Sequence, residues 1–296
     1  MRTFAEALDQ RVLLSDGSAV RLLRAHKLDL QRDFYGAEDC FDVLCLTRTR
    51  LVRRAHIAYL EAGADVIRTN TLEASPLSLR PHGLGEEAFY INYSAAQIAS
   101  EAVDSVPGRG RRRFVLGVVR DQGWNEAPKA LEGAVATQVE GLLAGGVDGI
   151  ALDLTPGTGR TPVFLRGAQE AKKRLGARAP IFLERTPGGP EFSEHMRALA
   201  DGVICFRQGQ TGRFDWLKNA IRAEQINLVG GGATPEDTAR LDRFLRALAD
   251  DGLRPLTQWH QKRFGEESAP ASSTLYAELE PAIAGGAECR PEKVSG

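Results

Sequence analysis

Short apolar runs alternate along this chain with longer segments whose apolar residues recur every three to four positions. The runs at 11–15, 65–69, 114–119, 149–154, 181–184, 202–206 and 226–230 have the length and content of buried strands. Between them, the spacing predicts helices at 50–62, 87–106, 129–144, 161–175, 191–200, 214–223 and 235–250. Strand-then-helix repetition predicts a parallel sheet with crossover helices. Seven strands, with a weak eighth at 254–259, favour an α/β (β/α)8 TIM-type barrel in which one βα unit is shortened or missing. No GxGxxG follows the first strand, where Asp16-Gly17-Ser18 stands, so a dinucleotide fold has little support. The barrel is expected over 1–264, and the Ala-, Ser-, Pro- and Glu-rich 265–296 reads as a flexible tail.

The most informative passage is AHIAYLEAGADVIRTNT, 55–71. A helix stops at Gly63, and a short strand follows and ends on Asn70-Thr71. Parallel α/β folds carry their chemistry at that end of the strand.

Composition narrows the classes. Net charge is −1, which gives no global field for nucleic acid or an anionic membrane. The basic run Gly108–Arg113 reads as a solvated loop. Four scattered cysteines, Cys40, Cys45, Cys205 and Cys289, form no disulfide framework and suit a reducing compartment. The first ten residues lack the apolar core of a signal peptide, and no run is long enough to span a bilayer. A cytoplasmic protein is expected. The five histidines show no HxH or HExxH spacing, and His56 reads as a helix residue that packs or faces solvent, away from the strand ends.

Three passages carry a resemblance: 12–18 (VLLSDGS), 42–52 (DVLCLTRTRLV) and 56–71 (HIAYLEAGADVIRTNT). Weaker similarity continues through 144–154, 202–205 (GVIC) and 229–235 (VGGGATP). Together they resemble the homocysteine S-methyltransferase family, notably the homocysteine-binding module of cobalamin-dependent methionine synthase. The resemblance implies methyl transfer to a thiol such as homocysteine. It also implies zinc held by three cysteine thiolates, with the substrate thiol as fourth ligand. Cys205 falls where the family has one of these cysteines, making it the candidate catalytic and metal residue. The other two belong to a GGCCGT motif, and here the match reads Gly230-Gly231-Gly232-Ala233-Thr234. The ligand set is therefore incomplete. The resemblance places Asp16 and Asp153 at the substrate amino group, and Arg68 stands where the family has glutamate. Asn70 and Thr71 either bind substrate or fix the loop. About twenty residues separate Cys205 from the glycine turn, too few for the family's further βα unit plus a helix. No cobalamin-binding module is recognisable.

The glycine turn leads into Thr234-Pro235-Glu236-Asp237, a strong helix start. Glycines of this kind cradle phosphate in other barrels, but Glu236 and Asp237 would repel it. Three functions follow. One is a divergent methyltransferase taking its methyl group from a corrinoid protein or a small sulfonium or ammonium compound. Another is a non-catalytic or repurposed barrel, binding a small molecule or serving as partner subunit to a corrinoid or methyltransferase protein. The third is a barrel enzyme for an anionic substrate, with Arg68, Arg120, Asp121 and Arg185 at its mouth.

Overall fold

The computed structural model describes residues 3–108, 110–154, 158–185, 193, 200–208, 217–219 and 226–250, without the side chains of 185, 202, 205–208 and 250. The expected strands form: β1 (Leu13–Leu14), β2 (Val66–Arg68), β3 (Phe114–Arg120), β4 (Gly149–Asp153), β5 (Ile181–Arg185), β6 (Gly202–Gln208) and β7 (Leu228–Gly230). All pair in parallel, in the order β1-β7-β6-β5-β4-β3-β2. The two ends of that series meet. A parallel bridge joins Ser15 to Val66, the Asp65 amide donates to Leu14 O at 2.7 Å, and the Asp16 amide donates to Val66 O at 2.8 Å. The sheet is therefore a closed ring, with seven strands among the described residues.

Closure at seven has a direct cause. Leu228 of β7 registers with both Leu13 of β1 and Phe206 of β6, so the strand that ends in the glycine turn fills the place between them. With β7 paired on both sides, the ring has no open place between β6 and β1 among the described residues. The candidate strand 254–259, the tail 265–296 and Cys289 lie outside the described residues, as do most of the helices expected at 191–200 and 214–223.

Inward-facing side chains from all seven strands (Leu13, Val66, Phe114, Leu116, Ala151, Phe182, Ile204 and Leu228) form one apolar cluster. It is capped from below by helix Phe4–Gln10, an element absent from the sequence expectations. Its signal was present: Thr3 and Glu6 make a capping box, each side chain accepting from the other's amide. Outside the ring, the long helices Thr49–Glu61, Ala88–Ser105, Pro128–Ala144, Thr161–Leu175 and Pro235–Asp250 bury their apolar faces against the strands or each other. Short helices at Ala19–Arg24, Leu30–Phe34, Leu44–Thr47 and Pro76–Leu79 fill the loops after β1 and β2. Among the described residues, no helix is long and apolar enough to cross a membrane.

The described residues of the basic run, 108 and 110–113, form the expected part-exposed loop, and its arginines are engaged by partners. Arg111 pairs with Asp65 (3.4 Å) and Asp242 (3.0 Å), and Arg112 pairs with Asp148 (2.9 Å) while lying over the Phe114 ring. Arg113 donates to the carbonyls of Leu60 and Val106. Together with the two-pronged Arg11–Asp65 pair, these contacts tie strand starts and helix ends together at the bottom of the barrel.

Candidate functional site

The C-terminal ends of the strands gather nearly every ionisable side chain singled out from the sequence. Among the described side chains, the strand interiors are apolar and polar residues begin near the ends of β1 to β5: Asp16 after β1, Arg68 closing β2, Arg120 closing β3, Asp153 closing β4 and Glu184 one residue before the end of β5.

At the centre lies a buried ion pair. Arg68 Nη1 and Nη2 donate to the two carboxylate oxygens of Glu184 at 2.7 and 3.3 Å. Burial works against the Arg68 cation, but Glu184, Asp153 and Asp16 outweigh it and hold the guanidinium above its ordinary pKa. Burial pushes the Glu184 carboxyl up, against the pull of Arg68. Arg68 therefore faces across the barrel to an acid of the protein's own. Glu184 was not singled out from the sequence. A lone acid inside the apolar run IFLER was the available clue.

A second pair lies nearer solvent. Arg120 Nε donates to Asp153 Oδ2 at 2.7 Å, with 43% and 29% of the two side chains exposed. Asp121 follows at once, and its carboxylate is 2.9 Å from Arg160 Nε. This rim is open, whereas Asp16 is closed in. Asp16 Oδ1 accepts from Ser15 Oγ (3.0 Å) and from the Arg68 amide (3.1 Å), so the carboxylate laces β1 to β2 where the ring shuts.

Asn70 and Thr71 sit at the mouth with their side chains engaged. Asn70 Nδ2 donates to Phe41 O at 2.7 Å, and Thr71 Oγ1 bonds Val118 O (2.9 Å) and Thr69 Oγ1 (2.7 Å). The loop they brace packs on Cys45, whose thiol lies 3.7 Å from Asn70 O. Burial pushes the Cys40 thiol up to about 12, and Cys45 higher still, so both stay protonated as small core groups.

Beside them, burial lifts Asp42 to about 7, although its Oδ1 accepts the Glu73 amide at 3.1 Å. Protonated Asp42 suits the fold, so it contributes stability that is complete below about pH 4 and disappears as pH climbs through 7. Asp42→Asn keeps the acceptor and removes the titration. Its melting temperature should therefore exceed that of the parent above pH 8, by the equivalent of about 1–3 kcal/mol, and the advantage should vanish near pH 4. Equal differences at both pH values would contradict this.

The glycine turn is held in close contact with β1. The Gly231 amide donates to Asp16 O at 3.0 Å, and a Cβ on Gly231 would lie 2.4 Å from Thr238 Oγ1. Gly232 has φ +84°, and a Cβ there would meet the Cβ of Asp237 at 2.7 Å, so backbone and space both demand glycine. Opposite, a Cβ on Gly17 would lie 2.2 Å from the Gly232 carbonyl oxygen. Gly17→Ala should cost about 1–3 kcal/mol, read as a lowered denaturation midpoint; an unchanged midpoint would show that the turn yields freely. The start of helix Pro235–Asp250 is capped as expected, with the Asp237 amide donating to Thr234 Oγ1.

Cys205 lies in β6 with its backbone in register with Arg185 of β5; its side chain, like that of Arg185, is outside the described residues. Among the described residues no three His, Cys, Asp or Glu side chains converge as metal ligands do. His56, expected to pack or face solvent, is fully buried and points at the strand ends, with Nδ1 3.7 Å from Asp16 Oδ2. Helix Thr49–Glu61 turns this face inward along with Val52, Ala55, Tyr59 and Leu60.

A family model described as Homocysteine S-methyltransferase matches residues 13–202. The methionine synthase of Mycobacterium tuberculosis (strain ATCC 25618 / H37Rv) is 28% identical over 187 residues, which make up 61% of this chain and 16% of that protein. The methionine synthase of Mycobacterium leprae (strain TN) is 27% identical over 187 residues, 61% of this chain and 15% of that protein. The matched region thus spans only a small part of these relatives' length. Among solved structures, the metallated form of the homocysteine methyltransferase MmuM from Escherichia coli aligns with a TM-score of 0.59 at 19% identity, over 81% of this chain and 99% of that one. The oxidized form of MmuM gives 0.57 at 18% identity, over 79% and 96%. These likenesses show a shared fold, and the family match over most of the ring, with its strand ends in the order just described, fixes the relationship: the chain belongs to the homocysteine S-methyltransferase family.

Proposed function

We propose that the barrel mouth binds the amino-acid end of homocysteine or a related amino thiol. The observation that carries this reading is the Arg120–Asp153 pair at the open rim. An amino acid presents an ammonium and a carboxylate a few ångströms apart, and a paired carboxylate and guanidinium can exchange partners with it without stranding a charge. Asp153 takes the ammonium, with Asp16 behind it, and Arg120 takes the carboxylate. Asn70, Thr71 and Gly230–Gly232 shape the wall. Arg68, engaged by Glu184, sets the charge of the floor.

The activity proposed with this binding is methyl transfer to the bound sulfur, with an incomplete zinc–thiolate set. The resident residues do not fit three thiolates. Gly232 and Ala233 stand at the family's paired cysteines, Gly232 has no room for a side chain, and Cys40 and Cys45 are protonated core groups in the loop packed against β2. A corrinoid protein or a small sulfonium or ammonium compound is the proposed methyl donor, and a cytoplasmic setting suits the family's metabolism. The second reading, a barrel that binds a small molecule or serves as partner subunit without catalysis, is favoured by the Arg68–Glu184 pair on the floor of the mouth.

Calorimetric titration with homocysteine tests the binding step. Asp153→Asn and Arg120→Gln should each weaken binding about 10–100-fold, as loss of a hydrogen bond to a charged group requires. Retention of full affinity in both variants would refute this site.

A further inference from the structure

His56 is a polar side chain with nothing to bond. It is 0% exposed, and neither imidazole nitrogen has a hydrogen-bond partner. A buried unpaired imidazole is costly, and such groups in native proteins call for a reason. The nearest charge is Asp16 Oδ2, 3.7 Å from Nδ1, slightly beyond hydrogen-bond length. The other oxygen of that carboxylate is committed to Ser15 Oγ and to the Arg68 amide. Arg68 in turn grips Glu184 on the far side of the ring. The four residues form a line from the helix layer into the barrel: His56, Asp16, Arg68, Glu184.

We propose that His56 is a positioning residue whose Nδ1–H is directed at Asp16 Oδ2. By fixing that carboxylate it holds the end of β2, and with it the charge arrangement of the mouth. The Nδ1–H tautomer follows from the geometry, because a bare Nδ1 facing a carboxylate oxygen would set two acceptors against each other. This role rests on the amino-acid binding proposed above where it concerns affinity, and is independent of it where it concerns the tautomer.

Two measurements on the full chain test it. Long-range nitrogen–proton NMR of the free protein should show His56 as the Nδ1–H tautomer, with nitrogen shifts that move in Asp16→Asn. An Nε2–H tautomer indifferent to that substitution overturns the proposal, whatever homocysteine does. Homocysteine calorimetry then compares three variants with confirmed thermal unfolding. His56→Asn places an amide near the position of Nδ1 and should bind within about threefold of the parent, whereas His56→Gln and His56→Leu should lose about tenfold. Equal affinities in all three overturn the positioning role. If the parent itself binds no homocysteine, the proposed function falls while the NMR result still decides the pairing of His56 with Asp16.

Discussion

Glu184→Ala is expected to cost about 3–5 kcal/mol of folding stability, measured by urea denaturation with the midpoint and slope fitted separately. The cost comes from what is left behind. Arg68 has only 12% of its side chain exposed, and without Glu184 its guanidinium stays in the barrel without its two-pronged partner. Removing both charges is a different experiment. The double variant Arg68→Met/Glu184→Leu replaces the pair with apolar groups of similar size and should recover to within about 1–2 kcal/mol of the parent. If the single and double variants were equally destabilised, the loss would come from packing and the pair would carry no special weight.

Phe4→Ala is expected to be as damaging, at about 3–5 kcal/mol, although it lies near the chain's first residue. Phe4 is 2% exposed, and its ring centroid lies 5.3 Å from that of Phe114 and 5.6 Å from that of Phe182, the latter edge-on. It joins the inner cluster from helix Phe4–Gln10, and its truncation leaves a void facing side chains from several strands at once. The same denaturation series reads the effect. A cost below about 1 kcal/mol would mean that helix Phe4–Gln10 merely rests on the barrel.

These two residues also mark where the sequence was readable and where it was not. Strands such as β3 and β4 were legible because each is a short apolar run buried on both faces, a pattern that needs no tertiary knowledge. That the ring could close with seven described strands was legible as a plain distance, the short stretch of sequence between Cys205 and the glycine turn. Helix Phe4–Gln10 escaped because seven residues are too few for periodicity to speak, and only its Thr3–Glu6 capping box announced it. The charges of Arg111 and Arg112 were visible, but their partners Asp65, Asp148 and Asp242 come from distant parts of the chain, and pairing across such separations is decided by the fold. Arg68 was conspicuous as a departure from the family, yet what it meets depends on the register that brings β5 across the ring from β2. His56 is the sharpest case. Helical periodicity puts it on the same face as Val52 and Tyr59, which is enough to predict burial, but not that the face ends beside Asp16.

Glycine gives the complementary lesson. Gly230-Gly231-Gly232 could be read as a loop poised to approach a ligand, and the structure shows much of its closeness already spent on the protein. Gly231 meets Ser15, Asp16 and Thr238, and Gly232 meets Asp237. That use of space at the seam of the ring bears directly on what the mouth can hold. The amino-acid site proposed at Arg120 and Asp153 works without three cysteine thiolates on zinc. The most direct test is homocysteine calorimetry on the purified full chain before and after exhaustive dialysis against a chelator, with zinc content measured on both samples. The same saturable binding is expected in both, with zinc well below one equivalent; stoichiometric zinc whose removal abolishes binding would contradict a zinc-free amino-acid site.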